Sequence, residues 1–370
     1  MNIVLDVNQS YRPNVSLNGS NSKYSLNLEV QREIALYFSL AELFSVLCPI
    51  IFGCFLLVGV IGNGMVIYVI LANKYLRTCP NMLFLNLAIA DMLFLVFCVP
   101  LQSAFYIKRF DLTLGEPLCK LFKYTIFVTM SVSAYSLMII CVFRCIAVAF
   151  PLHASRILTK RYALVASAAI WLSMAIVNSP LALYYTESNN STGACTITYH
   201  HKDTITSITV GVDFLLPIVI CFVGTTFIIT ALRRNRGVIR EMENETMERI
   251  ETSRRSTRKL VILVVSVAVV FFVFWAPFLI ISVLNALPIV GTMDTITIFV
   301  ASVTAQILAF SNSCVNPIIY NFVSTDFRRA FRRAIQCRFS RMRQSHQSSA
   351  ETTRSDILLR ERTLIKKSFA

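Results

Sequence analysis

The amino-acid sequence predicts an all-α membrane protein: a seven-transmembrane helix bundle with a short amphipathic helix after the seventh span. Three observations carry this expectation. Of 370 residues, 55% are hydrophobic and only 15% charged, against about 25% charged in an ordinary soluble domain. The apolar residues gather in seven runs, at about 46–72, 81–105, 119–149, 162–185, 205–232, 260–287 and 295–322. Each run approaches or exceeds the ~20 residues a helix needs to cross ~30 Å of hydrocarbon. Lipid offers the backbone no hydrogen-bond partner, so such runs must pair their N–H and C=O groups internally, as helices.

Four regions follow: a polar leading tail (1–44), the seven-helix domain (45–323), a membrane-surface helix (324–337) and a polar, basic tail (338–370) expected to be disordered. The opening stretch lacks a basic region followed by an apolar one, so the first span is expected to act as the insertion signal. The leading tail carries three glycosylation acceptors, Asn8, Asn14 and Asn18, which places it outside the cell. The loop charges agree with this. Lys74 and Arg77 follow run one, Arg156, Lys160 and Arg161 follow run three, and a dense set from Arg233 to Lys259 separates runs five and six, whereas the loop after run six has no Lys or Arg. By the positive-inside rule the N-terminus is extracellular and the C-terminus cytoplasmic, in a multi-pass protein of the plasma membrane. This placement also accounts for the net charge of +15 without a nucleic-acid partner.

Run three is the axis of the bundle. A helix from Cys119 to Arg144 is ~38 Å long, with a cysteine at one interface and an arginine at the other. Runs four and five bracket a polar loop with overlapping glycosylation acceptors at Asn189 and Asn190. After run seven, Phe327, Phe331, Ala334 and Ile335 share one helical face and Arg328, Arg329, Arg332 and Arg333 the other, as in a helix lying on an anionic leaflet. Ser324 or Thr325 is placed to cap it. Cys337 closes it as a palmitoylation candidate, with a plain free thiol the alternative.

Charged and polar groups inside spans are costly and mark function. Asp91 is the clearest. Asn63, Ser133, Asn312, Ser313 and Asn316 are expected to gather around it in one hydrated cluster, either with a sodium ion or as a hydrogen-bond network around a protonated carboxyl. No other cofactor is expected.

Taken span by span, Gly62-Asn63, Leu87-Ala88-Ile89-Ala90-Asp91, Cys119, Arg144, Trp171, Pro217, Phe271 to Pro277 and Asn316-Pro317-Ile318-Ile319-Tyr320 resemble the rhodopsin-like (class A) G-protein-coupled receptors over about residues 45–337. The stretches 93–100, 118–124 and 311–320, with the string Asp326 to Arg333, are most similar to the invertebrate allatostatin-A and galanin-type neuropeptide receptors. The resemblance implies a receptor that passes extracellular peptide binding to a heterotrimeric G protein of the inhibitory class, with arrestin and membrane lipids as further partners and no catalytic residue. Cys119 and Cys195 are the pair placed for an extracellular disulfide, and the resemblance implies the same pair.

By position relative to the family motifs, Gln102, Ile126, Phe127, Phe278, Ser282 and Gln306 are pocket residues. Ile126 stands where amine receptors of the family carry aspartate. An amine ligand is therefore disfavoured, and an apolar pocket with a few amides suits a C-terminally amidated peptide. Trp275 and Pro277, with Phe271, form the expected switch in span six, coupled to Asn316, Pro317 and Tyr320 in span seven. Arg144 faces the G protein. Here the chain departs from the family: Phe143 replaces the usual acid, Cys145 the usual tyrosine, Thr225 a second tyrosine and Ala134 a bulky core residue. Those departures keep open a ligand-scavenging, non-signalling receptor. A seven-helix transporter is disfavoured, since no internal repeat is evident and few intramembrane charges are expected beyond Asp91.

Overall fold

The structure, a computed structural model, describes residues 28–109, 111–150, 154, 158–187, 195–197, 208–239, 244–286, 295–325, 327–334 and 336. The acceptors Asn8, Asn14, Asn18, Asn189 and Asn190, the acylation candidate Cys337 and the tail 338–370 lie outside the described residues.

Seven helices among the described residues are long and apolar enough to cross a membrane: Gln31–Ala72, Cys79–Ile107, Glu116–Ala149, Lys160–Tyr184, Thr209–Ala231, Val261–Leu284 and Thr295–Phe322. We call them spans one to seven. Span three packs against spans two, four, five and six, and span seven packs against spans one and six. The outward faces are apolar, with Leu57, Ile61, Leu172 and Phe222 each about two-thirds exposed or more. Lipid, not water, is the solvent that makes such a surface stable. The interior also holds buried polar side chains, among them Asn63, Asp91, Ser133, Asn312 and Asn316.

The boundaries of six spans lie close to the expected runs, and the first differs. Its helix runs from Leu28 to Ala72, so the polar stretch before residue 45 is helical from Leu28 onward. Its 45 residues give ~68 Å of helix, far more than ~30 Å of hydrocarbon requires. The extension is held by packing. Tyr37 is buried against Phe299 of span seven at 5.0 Å between centroids, and Phe44 meets the same ring edge-on at 5.7 Å. Exposed Glu42 pairs with Arg109, which takes a left-handed backbone conformation just beyond span two.

Prolines shape several spans, because each removes a helical N–H and frees the carbonyl four residues earlier. A wide π-helical turn over Phe94–Cys98 precedes Pro100, and another over Thr209–Leu215 precedes Pro217. Pro317 frees the Ser313 carbonyl, which the Asn63 side-chain amide takes up at 2.8 Å. Asn63 thereby fastens span one to span seven. Gly62 makes room for this contact: a Cβ there would lie 2.9 Å from the Pro317 Cβ.

Beyond span seven the chain turns into the short helix 327–334. Ser324 Oγ accepts from the Phe327 N–H at 3.4 Å, so Ser324 is the cap. Phe327 is buried and stacks on Tyr320, whereas Arg329, Arg332 and Arg333 are exposed. Arg328 folds back and donates to the Asn321 and Phe322 carbonyls at 3.0 and 2.7 Å, occupying carbonyls that the end of a helix leaves unpaired.

Candidate functional site

At one end of the bundle a two-stranded hairpin, β1 (Tyr185–Glu187) and β2 (Cys195–Ile197), lies against the start of span three. Cys195 is bonded to Cys119, with Cα atoms 5.6 Å apart. Glu187 Oε1 accepts from the Leu114 backbone N–H at 2.7 Å. The hairpin is therefore tied to the head of span three by one covalent and one polar link. We call this the disulfide end.

The expected pocket residues fall into three groups below it. Gln102 and Tyr106 lie one turn apart on span two, and Tyr106 donates to Gln306 Oε1 of span seven at 2.6 Å. Gln102 is fully buried with neither amide atom hydrogen-bonded among the described residues. On span three, Ile126 is buried, and half-buried Phe127 packs with Leu181 and Tyr185. On span six, Phe278 meets Trp275 edge-on at 5.8 Å, and the Ser282 hydroxyl donates to the Phe278 carbonyl at 2.7 Å. The Ser282 hydroxyl thus spends its proton on its own helix.

Deeper in the bundle, Asp91 Oδ1 accepts from Ser313 Oγ and Oδ2 from Asn316 Nδ2, each at 2.8 Å. A cavity of about 10 Å³ opens beside it, lined also by Ser133, Asn312, Phe271 and Trp275. That volume is about one water-sized sphere. Of the expected cluster, Asn63 is the member directed elsewhere, to the carbonyls of Gly59 and Ser313. Trp275 closes the cavity toward the disulfide end. Its indole N–H is buried without a partner among the described residues, and its ring lies 6.2 Å from Phe271. Trp171 is a structural tie, donating to Asn86 Oδ1 at 2.9 Å while Asn86 donates to Ser136.

At the opposite end, the Arg144 Nε and one terminal nitrogen are buried without a hydrogen bond among the described residues. Half-buried Phe143 beside it offers no charge. The Tyr320 hydroxyl and Asn316 Oδ1 are likewise buried and unpartnered. Thr225 meets Cys141 at 3.9 Å, and Cys145 donates to the Gly224 carbonyl at 3.4 Å. A Cβ on Gly224 would come within 2.8 Å of the Cys141 sulfur, so spans three and five approach closely here.

Two ionisable residues of the disulfide end escape the reading that singled out Asp91. Lys123 is 5% exposed, with its ammonium 5.5 Å from the Phe122 ring centre and 5.6 Å from that of Tyr185, a cation–π setting. Asp213 is 1% exposed, on the π-helical turn of span five. Intramembrane charge is thus not confined to Asp91. The rule that picks out an acid within an apolar run applies to Asp213 as fully as to Asp91.

Proline-containing helices thus join a tied-down mouth at one end to an arginine with unbonded nitrogens at the other. Residues 62–320 match the family model described as 7 transmembrane receptor (rhodopsin family), and the chain belongs to that family, whose members are signalling receptors and not enzymes. It is 32% identical to the allatostatin-A receptor of Bombyx mori over 307 residues, covering 80% of this chain and 82% of that one. It is 29% identical to galanin receptor 2a of Danio rerio over 319 residues, covering 84% of each. Against galanin receptor type 1 of Homo sapiens the identity is 31% over 318 residues, covering 83% and 86%.

Proposed function

We propose that this chain is a neuropeptide-activated receptor of the plasma membrane that engages a heterotrimeric G protein through its Arg144 end. The likeness to allatostatin-A and galanin receptors along most of the chain carries the reading. The disulfide end supports it: Ile126 offers no charge to an amine, and Gln102 presents an unused buried amide. An amide with free donor and acceptor suits a C-terminally amidated peptide, which offers the complementary pair. The placement of Lys and Arg supports an extracellular disulfide end and a cytoplasmic Arg144 end. The acceptors at Asn8, Asn14, Asn18, Asn189 and Asn190 support the same orientation.

The residues around Asp91 fit a sodium ion. Asp91, Ser133 and Ser313 supply hard oxygens, and Asn312 Oδ1 is buried without a hydrogen-bond donor among the described residues. Hard oxygen ligands suit a hard cation. Such an ion would be held by the resting bundle and would tie spans two, three and seven together.

A second reading, a receptor that binds peptide without signalling, is favoured by one observation: Phe143 and Thr225 replace groups with which the family restrains or stabilises its arginine. One experiment separates the two. Amidated allatostatin-A-type and galanin-type peptides, with their free-acid forms, are applied to cells expressing the full chain, and binding and G-protein activation are both read. Activation by an amide and not by its acid supports the proposal. Saturable binding with no activation supports the second reading. Neither binding nor activation by any peptide contradicts both.

A further inference from the structure

Asp213 is a buried acid. Both carboxylate oxygens lack a hydrogen bond among the described residues, and neither described ion pair involves it. Its polar neighbours are Ser131 of span three, Asn178 at the junction of the two helical segments of span four, and Tyr135. Each has already spent its hydrogens. The Ser131 hydroxyl donates to the Phe127 carbonyl at 2.7 Å. Asn178 Nδ2 donates to Ser131 Oγ at 3.2 Å and to the Met174 carbonyl at 3.0 Å. The Tyr135 hydroxyl donates to the Val212 carbonyl at 2.9 Å. A serine or tyrosine has one hydrogen to give and an asparagine side chain two, so with these bonds made Ser131 and Asn178 face the acid without a hydrogen bond of normal length to it. Asp91 makes the contrast, since each of its oxygens accepts a 2.8 Å bond from span seven.

Asp213 lies on span five beside Ser131, which is ~18 Å of helix below Cys119 on span three. Ser131 lies one helical turn below Phe127, whose ring packs with Leu181 and with Tyr185 of the hairpin. The π-helical turn that carries Asp213 is a local widening of a kind frequent at functional sites. Leaving a buried carboxylate undonated is costly, and a group that brings N–H donors and a positive charge relieves that cost.

We propose that Asp213, framed by Ser131 and Asn178, is a recognition site for a cationic side chain of the activating peptide, a guanidinium or an ammonium, which enters past Phe127. This deepens the peptide-receptor reading and rests on it. It moves the charge-reading acid from span three, where Ile126 stands, to span five.

The test uses the full chain at the cell surface and a positional-scanning library of C-terminally amidated octapeptides, each position fixed in turn as arginine or its neutral isostere citrulline. At one position arginine is expected to be at least about tenfold more potent than citrulline, the loss typical of a charged hydrogen bond. In Asp213→Asn that gap closes to under about twofold, with surface expression followed through an N-terminal epitope tag. Should Asp213→Asn not reach the surface, Asp213→Glu, which keeps the charge one methylene further out, must change the gap several-fold. A library that activates the receptor with no arginine preference at any position, or a preference that persists unchanged in the variants, overturns the site and leaves the peptide reading standing. A library silent on the wild type contradicts the peptide reading and the site with it.

Discussion

Arg144 is half-buried at the foot of span three, with two of its nitrogens buried and unbonded among the described residues. Next to it, Phe143 contributes packing where an acid would contribute charge. In Phe143→Asp the arginine gains a partner that stabilises the resting bundle, and an ion pair of this half-exposed kind is worth ~1 kcal/mol. Basal G-protein activation is expected to fall about fivefold; an unchanged basal level would refute the idea that the missing acid sets the resting equilibrium. Asp91 gives a second prediction. If sodium is held there in the resting state, replacing sodium by choline raises agonist affinity in the wild type by about fivefold or more. Asp91→Asn should bind agonist equally in both salts. Equal sodium sensitivity in variant and wild type would rule out Asp91 as the ion's ligand. At this scale the sequence is legible where a polar residue type conflicts with its surroundings. Asp91 in an apolar run announces itself, and its bonds to Ser313 and Asn316 join residues already marked by the same conflict. Asp213 presents the same conflict, yet its significance depends on where the hydrogens of Ser131, Asn178 and Tyr135 go, and that is set by rotamers of three different helices.

Between elements, close approach of helices decides what substitutions are tolerated. A Cβ at Gly62 would meet the rigid Pro317 ring at 2.9 Å, while one at Gly64 meets nothing within 4 Å. Gly62→Ala is expected to lose about 1–3 kcal/mol of stability, read as a lowered midpoint of thermal inactivation. Gly64→Ala should match or exceed the wild type, because alanine is the better helix former. Equal midpoints for the two variants would show that the span one–span seven contact is loose. The hairpin gives a parallel case. Cys119→Ser frees β2 from span three and leaves the Glu187–Leu114 bond as the polar tie; reduced surface expression and loss of peptide binding are expected, and normal binding would show that the hairpin is held without the disulfide. Span boundaries were readable from apolar runs because hydrocarbon thickness fixes their length. The start of the first helix was not. Residues from Leu28 onward are too polar to read as a span, and what makes the extension part of the bundle is the burial of Tyr37 and Phe44 against Phe299, a contact between residues more than 250 apart in sequence.

For the molecule as a whole, the account is one of a bistable bundle. Spans two, three, six and seven surround a cavity of one-water size, with Trp275 on its side toward the disulfide end; toward the other end lie the Tyr320 hydroxyl and two Arg144 nitrogens, buried and without a hydrogen bond among the described residues. Buried polar groups without partners in one arrangement are groups available to a second arrangement, and a ligand that binds the second more tightly shifts the population toward it. The fold class and family were legible in the order of one motif per span. The net direction in which the departures at Phe143 and Thr225 together move the equilibrium is not, because one removes a restraint on the resting state and the other a stabiliser of the active state. The central claim is that peptide binding at the disulfide end drives nucleotide exchange at the Arg144 end. The measurement that tests it most directly is guanine-nucleotide exchange on a purified heterotrimeric G protein, using membranes that carry the full-length wild type and the amidated peptide panel. The account predicts exchange that rises with peptide concentration, saturates, and is abolished in Arg144→Ala while peptide binding persists. Saturable peptide binding with no rise in exchange above membranes lacking the receptor would contradict it.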